Sequence, residues 1–279
     1  MSTATLLAGL VDDAALFPPG NAPMDVAVRQ HRVHRTASYA PLVGRFLCPA
    51  SRLVELSEQL FASETVRLGI IVDTGIDGIE KAFATAAGEP RFVVELVEVA
   101  LPAEADLDRA AEAAAAQLQL APPGARSFVE LPRVRGWQDG LAVLARERLG
   151  AKLRTGGTVA SAFPSVDDVL DFLRSCVAAG VPFKCTAGLH EALRHRDPVT
   201  GFQHHGFLNI LAATCSIGDE RDEVVALTET DGTRLATYLR SLDHRVAIRA
   251  RSMFVSYGSC SIDEPVRDLA DLGLLSLSD

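Results

Sequence analysis

The sequence predicts a (β/α)8 TIM barrel, an α/β fold, and three observations predict it. Eight short apolar runs alternate with amphipathic stretches along 279 residues, which is the arithmetic of eight βα units. The runs are apolar throughout, as strands covered on both faces must be. The unusual polar residues cluster where those runs end, the position at which barrels carry their sites.

Taken in order, the predicted strands are "LLAGLVD", "GRFLCP", "RLGIIVD", "RFVVELVEVAL", "RSFVELP", "GAKLR", "PFKCTA" and "SMFVSYG". Between them lie helical patterns: "PMDVAVRQHRVHR", "SRLVELSEQLFAS", "GIDGIEKAFATAAG", "EADLDRAAEAAAAQLQLA", "WQDGLAVLARERL" and "SVDDVLDFLRSCVAAG". After the seventh strand the pattern changes. A long insertion, at about 190–250, precedes the eighth strand and holds helices at "FLNILAATCS" and "DGTRLATYLRSL". The last helix, "SIDEPVRDLADLGLL", opens on a capping box of Ser261 and Glu264. No linker interrupts residues 1–279, so they read as one barrel domain. An open doubly wound sheet is the competing architecture.

Formal net charge is −9, and no basic block stands out to neutralise phosphates, so nucleic acid is not an expected partner. A local basic pocket for a small anion remains compatible with that charge. Five scattered cysteines without metal spacing suit a reducing, cytoplasmic setting. Asp12 and Asp13 interrupt the first apolar run, and no run approaches the roughly 20 residues that span a bilayer, so no membrane is expected either.

The chain has three lysines, Lys81, Lys152 and Lys184, among 27 lysines and arginines. Two of the three sit in predicted strands that end in glycine. Side chains two apart on a strand share a face, so Lys152 and Arg154 point together, as do Lys184 and Thr186. Inside a barrel mouth, desolvation and neighbouring cations are expected to lower the pKa of Lys152. A neutral amine attacks carbonyls and forms imines. The alternative is that each lysine pairs with a carboxylate such as Glu95 or Glu130 and fills space.

The order of motifs resembles the deoxyribose-phosphate aldolase family of class I, Schiff-base aldolases. "GLVDDAALFPPG" is similar to that family's opening strand and loop, and "RFLCPASRLVEL" to its second strand. "RFVVELVEVAL" and "SFVEL" resemble the strands that carry its acidic residues. "GAKLRTGG" fits its K-x-x-T-G strand, and "PFKCTAGL" the strand with its assisting lysine. "YGSCSI" resembles its phosphate-binding turn. The resemblance implies that Lys152 forms the imine and Lys184 assists, with Glu95 and Glu130 as acid/base or orienting groups. It also implies an anion held by the turn at Gly258 and Ser259, with Asp12 at the first strand's exit near the substrate; Arg154, on the face of Lys152, is expected to hold the anion with that turn. The chain departs from the family as a divergent member. Strict alternation puts Val97 where the family carries an aspartate and turns Glu98 to the opposite face, and Arg154 replaces a small residue.

The insertion holds four of the seven histidines, His190, His195, His204 and His205, within sixteen positions. It is expected at the same end of the barrel as Lys152, with His190, His204 or His205 near the site. The leading reading is therefore an aldolase-like lyase acting through a lysine imine on a small anionic carbonyl compound. It calls for no cofactor and no metal, and a homo-oligomer is compatible with it. Two alternatives stand beside it. One is a metal-dependent barrel hydrolase using the histidines of 190–205 with Asp73 or Asp13. The other is a non-catalytic barrel that binds a small anion.

Overall fold

In the computed structural model, which describes residues 2–103 and 106–277 apart from the Glu220 side chain, eight parallel strands close on themselves. Helix α1 (Ser2–Leu7) leads into β1 (Val11–Asp13). Then come α2 (Met24–Thr36), β2 (Val43–Pro49), α3 (Leu53–Gln59), β3 (Val66–Val72), α4 (Ile79–Ala87) and β4 (Phe92–Ala100). The alternation continues with α5 (Leu107–Leu118), β5 (Arg126–Glu130), α6 (Trp137–Arg146), β6 (Gly150–Arg154), α7 (Val166–Ala179) and β7 (Phe183–Thr186). A small antiparallel hairpin, β8 (His195–Arg196) and β9 (Gln203–His204), follows. Four helices come next: α8 (Phe207–Ser216), α9 (Glu220–Thr228), α10 (Gly232–Ser241) and α11 (His244–Met253). Strand β10 (Phe254–Ser259) closes the barrel between β7 and β1, and α12 (Asp263–Asp271) completes it. This is the predicted (β/α)8 barrel.

The differences from the sequence reading have physical causes. Leu6 and Leu7 lie buried in α1, so the first strand is shorter than its apolar run. Helices α9 and α11 were not anticipated, because "ERDEVVALT" and "HRVAIRARSM" carry too few large apolar residues to show a stripe. The helical pattern from 104 begins at two positions outside the described residues. The predicted capping box is half made: Ser261 Oγ accepts from the Glu264 amide, but the Glu264 carboxylate turns to His190 instead. A complete box opens α7, between Ser165 and Asp168.

Two apolar layers hold the barrel. The outer one packs strands against helices and includes Val97, Val99, Leu153 and Cys185. Helix α8 is buried on every side from Phe207 to Cys215, and Phe207 stacks on Tyr257 of β10 with centroids 5.1 Å apart. The inner layer is small, formed by Leu96, Phe128 and Val255. Beside it the interior holds the charged side chains of Asp12, Glu98, Lys152 and Lys184.

Bulges decide what faces inward. In the β3–β4 register Leu68 pairs with Val94 and Gly69 with Leu96, so Glu95 is an extra residue. A bulge shifts the alternation by one. Leu96 and Glu98 therefore face the interior, and Val97 and Val99 face the helices. A similar shift between Phe254 and Ser256 turns both Val255 and Ser256 inward.

Candidate active site

A cavity of about 720 Å³ opens at the C-terminal end of the barrel. Glu98, Lys152 and Arg154 line it from the strands, and Phe17, Phe163, His190 and His204 line it from the loops. The Thr155 side chain is buried just beyond β6 and donates to Thr186 O at 3.1 Å, tying the ends of β6 and β7 together.

Lys152 and Lys184 are register partners on adjacent strands, and one carboxylate serves both. Glu98 Oε2 lies 2.7 Å from Lys152 Nζ, and Oε1 lies 2.8 Å from Lys184 Nζ. The second contact is electrostatic only, since Oε1 makes no aligned hydrogen bond. Lys152 also meets Glu130 at 3.1 Å. Lys184 donates to Asp12 Oδ2, which also accepts from Ser256 Oγ at 2.6 Å. Asp12 Oδ1 takes the Arg45 amide at 2.9 Å. A Cβ at residue 44 would stand 2.2 Å from that oxygen, so only glycine lets the Asp12 carboxylate sit there.

These contacts correct several expectations. Glu98, which strict alternation would turn outward, is the central acid. Glu95 is not in the site: Arg45 donates to it at 2.9 Å and Arg67 at 2.7 Å, towards the opposite end of the barrel. Asp12 is wholly buried and its oxygens are occupied, so it orients Lys184 and does not line the cavity. Lys152 does not have a lowered pKa. Burial pulls it down, but Glu98 and Glu130 outweigh burial and the net shift is upward. Burial likewise opposes ionisation of Glu98, yet Lys152 and Lys184 hold it well below the usual carboxylate range.

Arg154 is paired and yet reachable. Its Nε donates to Glu130 at 2.7 Å, while its side chain stays 51% exposed on the cavity wall. Glu130 thus bridges Arg154 and Lys152. At the closing turn Gly258 lines the cavity, whereas the Ser259 hydroxyl is taken up by Ser261 O at 2.6 Å and the residue is buried.

The insertion meets the mouth through its hairpin. His190 and His204 line the cavity, and the Phe163 ring lies tilted against His204 with centroids 4.5 Å apart. Cys260, 3.7 Å from the ring, and Glu264 push His190 up to about 9 against its burial. His205 does not join them. It is buried between Arg194 and the Pro164 carbonyl, and burial pushes it down to about 4. The described residues hold no group of three His, Cys, Asp or Glu able to ligate a metal, and none of their helices is long and apolar enough to cross a membrane.

Sequence reasoning missed Ser256, Cys260 and Phe163 as well as Glu98. Only Glu98 left a trace. Two acids three apart in an otherwise apolar strand cannot both be accommodated by strict alternation, which points to a bulge.

The chain matches no protein-family model, and neither a curated protein nor a solved structure matches it significantly.

Proposed function

We propose that the protein is a class I aldolase-like lyase that forms an imine between Lys152 and the carbonyl carbon of a small anionic substrate. The observation that carries this reading is the Lys152–Glu98–Lys184 set at an open cavity on the C-terminal barrel face. The family resemblance of the motifs points the same way, and this chain would be a divergent member.

In the resting state Lys152 is charged, and a charged amine does not attack. Proton transfer from Nζ to Glu98 Oε2 turns the ion pair into a neutral pair, the form that burial favours. The free amine then adds to the carbonyl. Glu98 returns the proton to the carbinolamine hydroxyl, water leaves, and the protonated imine remains. With Glu98 ionised again, it accepts the proton of the substrate's β-hydroxyl as the carbon–carbon bond breaks, and the electron pair moves to the imine nitrogen. Lys184, held by Asp12, stays beside Glu98 throughout. Arg154 and the backbone at Gly258 hold the substrate's anionic group.

One observation favours a second reading, a non-catalytic anion-binding barrel: Glu98 and Glu130 together stabilise the protonated form of Lys152. Borohydride reduction with a panel of aldehydes and keto acids separates the two. The lyase reading expects a mass adduct on Lys152 that disappears in Lys152→Arg. Labelling of Lys81 as readily as Lys152, or tight anion binding with no adduct from any member of the panel, would overturn it.

A further inference from the structure

The opposite end of the barrel carries a second charged cavity, of about 630 Å³. Five arginines from five different elements line it: Arg35 of α2, Arg45 of β2, Arg67 of β3, Arg126 of β5 and Arg251 of α11. Their charges are not balanced locally. Glu95 serves both Arg45 and Arg67. Asp12, which Arg45 approaches at 3.5 Å, is already held by Lys184. Arg35 and Arg251 bond backbone carbonyls, those of Val43 for the first and of Phe254, Ala8 and Val255 for the second. Arg126 makes no hydrogen bond or ion pair to any described residue, and its guanidinium lies 5.4 Å from the Phe128 ring. Burial, together with the charge of Arg45, pulls its pKa down. Arg251 is pushed to about 10 by burial and by Arg45 and Arg126, with Asp12 opposing. Burial is the larger cause of both shifts, and the neighbouring arginines add to it.

Arginine crowding of this kind is costly in an empty site and favourable around an oxyanion, which planar guanidinium forks bind in pairs. We infer that this N-terminal bowl is a binding site for a small phosphoryl-bearing anion, separate from the cavity at Lys152. Its concave shape suits a small molecule. The overall charge of −9 opposes an extended polyanion such as nucleic acid.

Inorganic pyrophosphate, titrated calorimetrically into the full chain at low salt, tests this. One molecule is expected to bind at this end of the barrel, more weakly as salt rises. Arg126→Ala and Arg126→Gln should each weaken binding about tenfold, the worth of one charge-assisted contact. Neither removes a hydrogen bond or ion pair within the protein, only the guanidinium's place over the Phe128 ring, so the melting temperature should fall little. Arg154→Ala, at the other end, should leave the affinity within about twofold. Absence of binding, or binding that survives both Arg126 variants, would overturn the inference. Binding that Arg154→Ala abolishes would also do so, by placing the anion at the mouth. None of these results depends on whether Lys152 forms an imine.

Discussion

Glu98 and Lys152 meet at 2.7 Å across the barrel interior, with side chains 2% and 7% exposed. The carboxylate belongs to β4 and the amine to β6, and β5 runs between them. The pair thus spans the cavity floor instead of lying along one strand pair. Lys184 on β7 reaches the other carboxylate oxygen, so this one acid is shared by two buried cations.

Glu98→Gln should therefore have two separable effects. Leaving two buried ammonium groups short of an anion should cost about 3 kcal/mol in urea unfolding, in the range for breaking a buried ion pair. Reductive trapping on Lys152 should slow by about 100-fold or more, as for loss of a general acid–base group. Adding Lys184→Met should recover part of the stability and none of the trapping. Trapping that proceeds normally in Glu98→Gln would remove Glu98 from the proton path.

Arg154 has a different signature. Because it is half exposed, and Glu130 keeps its pairing with Lys152 without it, Arg154→Ala should scarcely alter the unfolding midpoint. With an anionic carbonyl substrate KM should rise about tenfold, and kcat should change less. A fall in kcat with KM unchanged would place Arg154 in the chemistry through Glu130 instead.

Stability should depend on pH through His205. Its folded pKa, about 4, lies below the unfolded value of about 6.5. Between those values the unfolded chain binds the extra proton, so stability falls as pH drops from about 6.5 towards 4. The loss attributable to His205 is on the order of 3 kcal/mol. His34 and His204, also shifted down by burial, add to the same trend. His205→Asn should flatten the melting temperature across this window, even if the variant melts lower at pH 7.

Gly44→Ala probes the support of Lys184. The added methyl would collide with Asp12 Oδ1, displacing the carboxylate that holds the lysine. A loss of about 1–3 kcal/mol is expected from the overpacking alone. Asp12→Asn keeps the shape but removes the anion paired with buried Lys184, so it should lose about 3 kcal/mol, and together the two variants separate crowding from charge.

Much of the fold was legible because it rests on periodicity. The eight apolar runs and most of the helices state their period over enough residues to be read, and α8 runs over the ten residues expected of it. Lys152, Lys184, Arg154 and Glu130 were placed together because ordinary alternation holds along β5, β6 and β7. Glu98 and Glu95 exchanged places because a bulge changes the face of every residue after it, and although two acids three apart point to a bulge, they do not say which residue is the extra one. The pKa of Lys152 was misread for a related reason. Its cationic neighbours could be seen along the strands, whereas Glu98 comes from two strands away. His205 differs from His204 by one position, and only the packing of Pro164 and Arg194 around it determines that it is walled in.

The scarcity of lysine has a practical side. Lys152 and Lys184 are 5% and 1% exposed, and Lys81 on α4 is the exposed lysine. Activated esters coupled to a resin or a sensor surface have one exposed lysine side chain to seize, beside the chain's α-amine, so lysine-tethered molecules would share a common orientation through α4. The same economy keeps the intact mass spectrum nearly silent under amine-directed reagents. Against that background a single carbonyl-derived mass increment would be visible without digestion, and a Lys81→Arg chain would leave the barrel interior as the only lysine source of it.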